Sequence, residues 1–298
     1  MSSAESGGGA IFADGGTILA FLNEVAGGRR LLGAIRERVE AGATHVALAA
    51  PQNQPVSGQI VDADEVRDAA LSRVEVTQAV LAEFGIDSTA AILDPDTPLA
   101  LDDAVRAFRP SEVLISALAN SRFGLMRKDL IEWAGDRFDV PVTHIPVRID
   151  DDAIRWDVVH TLVVATQTVN APDLIARLIA LNEEKPHRFT FVCPSSGDVP
   201  REEVCDRLAA TLGAMYKEEI DATGQPMSPE PFAAVRNAIE HYRVDDILIS
   251  TFAGSRSKWL EGGLIDDVRE ITPIPIEHVE SGRAGADAPV AAAAGGTA

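Results

Sequence analysis

The chain has 298 residues, 46% hydrophobic and 24% charged, which suits a folded protein and excludes wholesale disorder. Its 46 acidic residues against 26 basic ones give a formal charge of −20. That balance disfavours nucleic acid and anionic membrane surfaces as partners, because both call for a basic face.

Residues 1–14 and 281–298 read as disordered tails, since their Gly, Ala and Ser runs bury little apolar surface. Between them, short β-branched runs alternate with helical patterns. Thr17–Leu22 reads as a strand, Arg29–Glu40 as an amphipathic helix and His45–Ala50 as a second strand. A long helix is expected over Asp64–Phe84, opened by Asp62 or Asp64 and closed by Gly85. Ser88–Leu93 is a strand, Leu99–Phe108 a helix, Glu112–Ala117 a strand, Lys128–Arg137 a helix and Pro141–Val147 a final strand. Strands alternating with helices predict an α/β fold with a parallel sheet covered on both faces.

The same pattern then repeats. Arg109 and Arg243 stand 134 positions apart, and this offset holds without a gap from Ile86/Ile220 to Ile145/Val279. It aligns Pro95 with Pro229, Leu114-Ile115-Ser116 with Leu248-Ile249-Ser250, Ser121-Arg122 with Ser255-Arg256, and His144 with His278. At a slightly larger offset, Thr17–Val25 matches Thr161–Val169 and Pro51 matches Pro194. Two tandem units follow, over residues 15–148 and 158–280, joined by an acidic linker at 149–157. Each is expected to hold an open, mostly parallel five-stranded sheet of order 3-2-1-4-5, with helices on both faces.

A β-α-β-α-β-α-β-α-β unit of this length, ending in a proline-valine strand, resembles the universal stress protein domain of the adenine-nucleotide alpha-hydrolase-like superfamily. The carrying segments are Ala117–Arg122 and Thr251–Ser257 after the fourth strand, and Val140–His144 and Ile274–His278 in the last one. Asp94-Pro-Asp-Thr-Pro98 resembles the entry to the family's third helix. The likeness implies ATP or AMP as ligand and a dimer contact through the final strand. Here that contact would pair the two halves internally, with a homodimer of chains as a further option. Nucleotide-binding members carry an Asp after the first strand and a G-x2-G-x9-G-[ST] loop after the fourth. This chain has Asn23 and Gln167 near the first position, and both of its loops are degenerate: Asn120–Phe123 and Gly254–Ser257.

Topology places a ligand independently of that likeness. In a 3-2-1-4-5 sheet the crevice lies beyond the carboxyl ends of strands one and four. Those ends are Asn23 with Ser116, Asn120, Ser121 and Arg122 in the first half. In the second half they are Gln167 and Thr168 with Ser250, Thr251, Gly254, Ser255, Arg256 and Ser257. Each loop runs toward a helix start, where free N–H groups favour an anion and an arginine can fork onto phosphate. The second half is the better candidate, with Gly254 for close approach and Trp259 as a stacking surface. Against this, Ser-Arg in such a loop also serves as a helix cap beside a solvated charge, and Asn23 and Gln167 also suit turn closure.

Nothing else in the chain points to chemistry. His144 and His278 lie in last strands and read as residues of packing or of pairing with the other half, and Cys193 reads as a buried thiol. Two cysteines are too few for a disulfide framework, so a reduced, cytoplasmic protein is expected, and residues 1–9 carry no secretory signal. The low lysine count fits a GC-rich genome, with salt adaptation as the other source. No cofactor beyond adenine nucleotide and no metal is implied. Three functions stay open: a non-catalytic stress-related regulator or interaction protein, with weak adenine-nucleotide binding in its second half as an option, a nucleotide-hydrolysing or transferring enzyme using the Arg256 loop, and a ligand-free scaffold. For the enzyme, Glu24, Asp266 and Asp267 are the candidate metal carboxylates.

Overall fold

A computed structural model describes residues 12, 15–23, 28–52, 63–117, 122–123, 128–146, 158–194, 199–227, 230–253, 259 and 262–282. The residues expected to form the linker, and nearly all of both tails, lie outside these. In the first half the order is β1 (Thr17–Leu22), α1 (Arg29–Glu40), β2 (His45–Pro51), α2 (Ala63–Glu83), β3 (Ser88–Leu93), α3 (Thr97–Phe108) and β4 (Glu112–Ala117). Then come β5 (Arg122–Phe123), β6 (Lys128–Asp129), α4 (Leu130–Arg137) and β7 (Val142–Pro146). The second half runs β8 (Val159–Val164), α5 (Pro172–Glu184), β9 (His187–Pro194), α6 (Arg201–Lys217), β10 (Asp221–Met227), α7 (Pro231–His241), β11 (Asp246–Phe252), α8 (Leu264–Ile271) and β12 (Ile276–Ser281).

Two five-stranded sheets result, β3-β2-β1-β4-β7 and β10-β9-β8-β11-β12, each in the expected 3-2-1-4-5 order. Every pairing within them is parallel. The central strands explain why: β1, β4 and β9 are buried almost throughout, as strands covered on both faces must be. Alternate residues serve opposite faces. Leu19 and Phe21 join Ala100, Leu101 and Leu130 on the α3–α4 side, whereas Ile18, Ala20 and Leu22 join Leu31, Leu32 and Ile35 of α1 on the other.

Local signals recur at repeat-related positions. Asp96 caps α3 by accepting from the Leu99 N–H at 3.0 Å, and Glu230 caps α7 by accepting from Phe232 and Ala233. The second helix of each half is followed by a left-handed residue, Gly85 at φ 69° and Glu219 at φ 60°. Most boundaries shift by one or two residues, and at one the element type itself differs from expectation. Lys128 and Asp129 do not open a helix; they pair with Arg122 and Phe123 in a two-stranded antiparallel ribbon, and α4 starts at Leu130. The ribbon supplies backbone partners where a helix start would leave its N–H groups without any.

The described contacts between the halves do not run through the last strands: among the described residues β7 pairs with β4 and β12 with β11, and no pairing joins β7 to β12. Helix α2 instead packs on α6 and β10, and one continuous apolar cluster runs from Ile18 and Leu48 through Val76 and Val80 to Leu208, Leu212 and Phe189. Phe84 meets Tyr216 edge-on at 5.2 Å between ring centres, with the Arg36 guanidinium over both rings. Arg201, at the start of α6, donates from Nε to Glu75 at 2.9 Å and from Nη2 to the Ser72 hydroxyl at 2.6 Å.

A carboxylate opens the fourth strand of each half, Glu112 buried and Asp246 half-buried, with different partners. Glu112 is 3% exposed and accepts from Arg38 Nη2 at 2.9 Å, Arg38 Nε at 3.2 Å and Thr143 Oγ1 at 2.9 Å. In the second half the arginine of the first helix, Arg177, reaches Glu277 on β12 (2.7 and 3.0 Å) instead of Asp246 on β11. Asp246 Oδ1 is buried without a hydrogen-bond partner among the described residues, and burial raises the Asp246 carboxyl above its ordinary range. A raised carboxyl means the folded chain holds this proton more tightly than the unfolded one. Its contribution is therefore full below the unfolded pKa of roughly 3.9 and is lost as pH rises through the higher folded value. Asp246→Asn is expected to stabilise the protein more at pH 7 than at pH 4, by about 0.5 kcal/mol after allowing for partial solvent exposure. Urea midpoints at the two pH values check this; an equal effect at both would count against it.

Candidate functional site

The carboxyl ends of β1 and β4, and of β8 and β11, lie side by side as the strand order requires. In the first half Asn23 is buried, and its N–H donates to the Ser116 carbonyl at 3.0 Å. Ser116 is likewise buried. Arg122 stands in β5 opposite Asp129, within a ribbon rather than a loop. Asn120 and Ser121 fall outside the described residues.

In the second half Gln167 is exposed, while Thr168, Ser250 and Thr251 are buried. Their hydroxyls are engaged within the chain. Thr168 Oγ1 donates to the Ser250 carbonyl at 3.0 Å, pinning the turn after β8 to the end of β11. Ser250 Oγ lies 3.2 Å from Ser281 Oγ, and Thr251 Oγ1 lies 2.8 Å from His278 Nε2. Gly254, Ser255, Arg256 and Ser257 are outside the described residues; they occupy the connection from β11 to α8. Trp259 packs against the apolar cluster of Leu162, Val235 and Leu264, so part of its surface serves the core.

The paired histidines have a common role. His144 Nε2 lies 3.0 Å from the Ala117 carbonyl, and His278 Nε2 meets Thr251, so each ties the last strand to the end of the fourth. Cys193 and Cys205 are both buried and free. Burial, followed by the nearby Glu75 carboxylate, pushes the Cys205 thiol up to about 12, and burial also raises Cys193, so neither supplies a thiolate at neutral pH. Asp266 is paired with Arg269 at 3.1 Å, and Glu24 lies outside the described residues. Among the described residues no three His, Cys, Asp or Glu side chains are grouped to hold a metal. No helix among them is long and apolar enough to cross a membrane.

One residue near the first crevice escaped the sequence reading. Arg73 of α2 is 3% exposed and donates to the carbonyls of Asn23 at 2.6 Å and Pro51 at 2.7 Å, joining the ends of β1 and β2. In the second half Thr166 Oγ1 reaches the matching Pro194 carbonyl at 2.7 Å. The usable signal was an arginine within the Ala69–Val76 stretch of a long helix, among small and apolar neighbours on both sides. The repeat concealed it, because the second half meets the same need with a different residue type.

No family model matches the chain, and no curated protein matches it either. Among solved structures it is similar to a universal stress protein from Archaeoglobus fulgidus DSM 4304, at 15% identity and a TM-score of 0.34, over 90% of this chain and 97% of that one. It is also similar to MurG from Acinetobacter baumannii, at 13% identity and a TM-score of 0.25, over 88% of this chain and 85% of that one. Likenesses of this size say nothing of what the chain binds.

Proposed function

We propose that the protein is a tandem universal-stress-like regulator, non-catalytic, that binds adenine nucleotide weakly in its second half. The observation that carries this reading is the duplicated 3-2-1-4-5 parallel sheet, which sets a crevice at the ends of β8 and β11 directly before the Gly254–Ser257 connection. There Arg256 would fork onto phosphate, with Ser255 and Ser257 donating hydroxyls and Gln167 at the mouth.

The committed hydroxyls of Thr168, Ser250 and Thr251 favour a second reading, a scaffold that acts through its surfaces. Mass spectrometry of the purified protein for bound nucleotide, followed by titration of ATP and AMP, separates the two. The regulator reading expects saturable binding that Arg256→Ala weakens about tenfold or more, the scale of a lost charge-assisted hydrogen bond. Absence of binding by either nucleotide at millimolar concentration leaves the scaffold. Phosphate release above background, lost in Arg256→Ala, would instead support an enzyme.

A further inference from the structure

The second helices of the two halves carry an arginine at the same place and put it to different use. The 134-residue offset pairs Arg73 of α2 with Arg207 of α6, and Thr77 with Thr211 four residues on. Local geometry agrees with that pairing. The Thr77 hydroxyl donates to the Arg73 carbonyl at 2.7 Å, and the Thr211 hydroxyl to the Arg207 carbonyl at 3.2 Å. Each guanidinium also turns to the residue that follows the first strand of its own half, Arg73 to the Asn23 carbonyl and Arg207 to the Gln167 carbonyl.

In the first half the arginine is committed to the fold. Arg73 is 3% exposed and donates to the Asn23 and Pro51 carbonyls at 2.6 and 2.7 Å. In the second half the Thr166 hydroxyl takes the Pro194 carbonyl at 2.7 Å, so the strand ends are joined without a guanidinium. Arg207 is left at the mouth of the crevice. Its side chain is 26% exposed, and its bond to the carbonyl of exposed Gln167 is 3.5 Å, long for a charged donor. Its carboxylate partner is Glu203, one turn earlier on the same helix and 48% exposed. An ion pair so open to water contributes little, so an anion displaces it at small cost.

Arg207 also approaches from a particular side. Leu208 of α6 packs with Val163 and Phe189 on one face of the second sheet, whereas Leu264 of α8 packs with Leu162 and Val235 on the other. Arg207 therefore reaches the end of β8 from one face, and the connection from β11 leads to the opposite one.

We propose that Arg207 is a phosphate-binding residue of the second-half crevice, and that this crevice takes a nucleoside polyphosphate in preference to a monophosphate. The inference rests on the nucleotide reading above, in which Arg256 answers one phosphoryl group. A second arginine, coming from the other face, calls for a second phosphoryl group. Glu203 and the ligand compete for the same guanidinium. Arg73, buried on the chain's own carbonyls, cannot play this part in the first half.

Calorimetric titration of the full chain with ATP and with AMP tests this. The wild type is expected to bind ATP about tenfold more tightly than AMP, and Arg207→Ala to remove most of that preference, weakening ATP about tenfold and AMP less than about twofold. Arg207→Lys should recover only part of the loss, because an ammonium keeps the charge without the fork. Glu203→Gln should tighten ATP binding by freeing the guanidinium; weaker ATP binding in that variant would overturn the competition. ATP binding left unchanged by Arg207→Ala overturns the role of Arg207 while the nucleotide reading stands. Absence of binding by the wild type overturns both. Equal losses for ATP and AMP in Arg207→Ala would mark the residue as a structural support of the crevice and overturn its phosphate role. Wild-type affinity for AMP equal to or above that for ATP overturns the polyphosphate preference.

Discussion

Arg38→Met is expected to cost the fold about 3–5 kcal/mol, the usual penalty for stranding a charge inside a protein. Glu112 lies at the start of a central strand, almost wholly out of water, and two of its three side-chain hydrogen bonds come from Arg38. Removing the guanidinium leaves a carboxylate with only the Thr143 hydroxyl. The loss exceeds what the pair itself contributes, because most of it is the penalty of the uncompensated charge. A second substitution makes the argument testable: Arg38→Met with Glu112→Leu should recover most of the stability that Arg38→Met alone removes. Urea midpoints for the four members of this cycle decide the matter. A double variant as unstable as Arg38→Met would show that packing of the arginine stem, rather than the buried charge, was responsible.

Arg201→Ala is expected to cost about 2 kcal/mol, from charged hydrogen bonds that join the halves. Arg201 belongs to α6, and its partners Glu75, Ser72 and the Asp68 carbonyl all belong to α2. It is also a partly buried residue facing a partly buried carboxylate, a setting where ion pairs count for more than on an open surface. Because the two sheets share one apolar cluster, the wild-type chain should unfold in a single transition seen alike by Trp133 in the first half and Trp259 in the second. In Arg201→Ala the midpoint should fall, and the two signals should begin to separate. Fluorescence of single-tryptophan variants would show it; an unchanged midpoint with coincident signals would mean that the arginine does not hold the junction.

The layered fold was readable from the order of the residues because each central strand is a run of β-branched and small apolar side chains bounded by turns. β1, β3 and β4 fall on the residues expected, and α1 does so at both ends. The 134-residue offset carried that reading into the second half, where Glu230 takes the capping role of Asp96. The junction was not readable. The apolar pattern of α2 is the same whether it faces a helix of its own unit or one from another, so periodicity does not name its partner. The last strands, by contrast, look like pairing surfaces although both are edges among the described residues. For the site, the residue types were legible but their commitments were not. Nothing about Thr168 or Thr251 in a string of letters shows that one hydroxyl is spent on the Ser250 carbonyl and the other on His278. Arg73 escaped for the same reason, since its partners lie on segments far apart in the chain.

The helix-to-helix junction also sets a timetable for synthesis. α2 is complete by Glu83 and β7 by Pro146, yet the α6 surface that covers α2 ends at Lys217, and β10 comes later still. At roughly 5–20 residues per second, the first sheet can close several seconds before its uncovered flank finds a cover. During that interval the nascent chain displays the apolar side of α2 to whatever stands at the ribosome exit, so holdase chaperones have their strongest claim on this protein while only its first half exists.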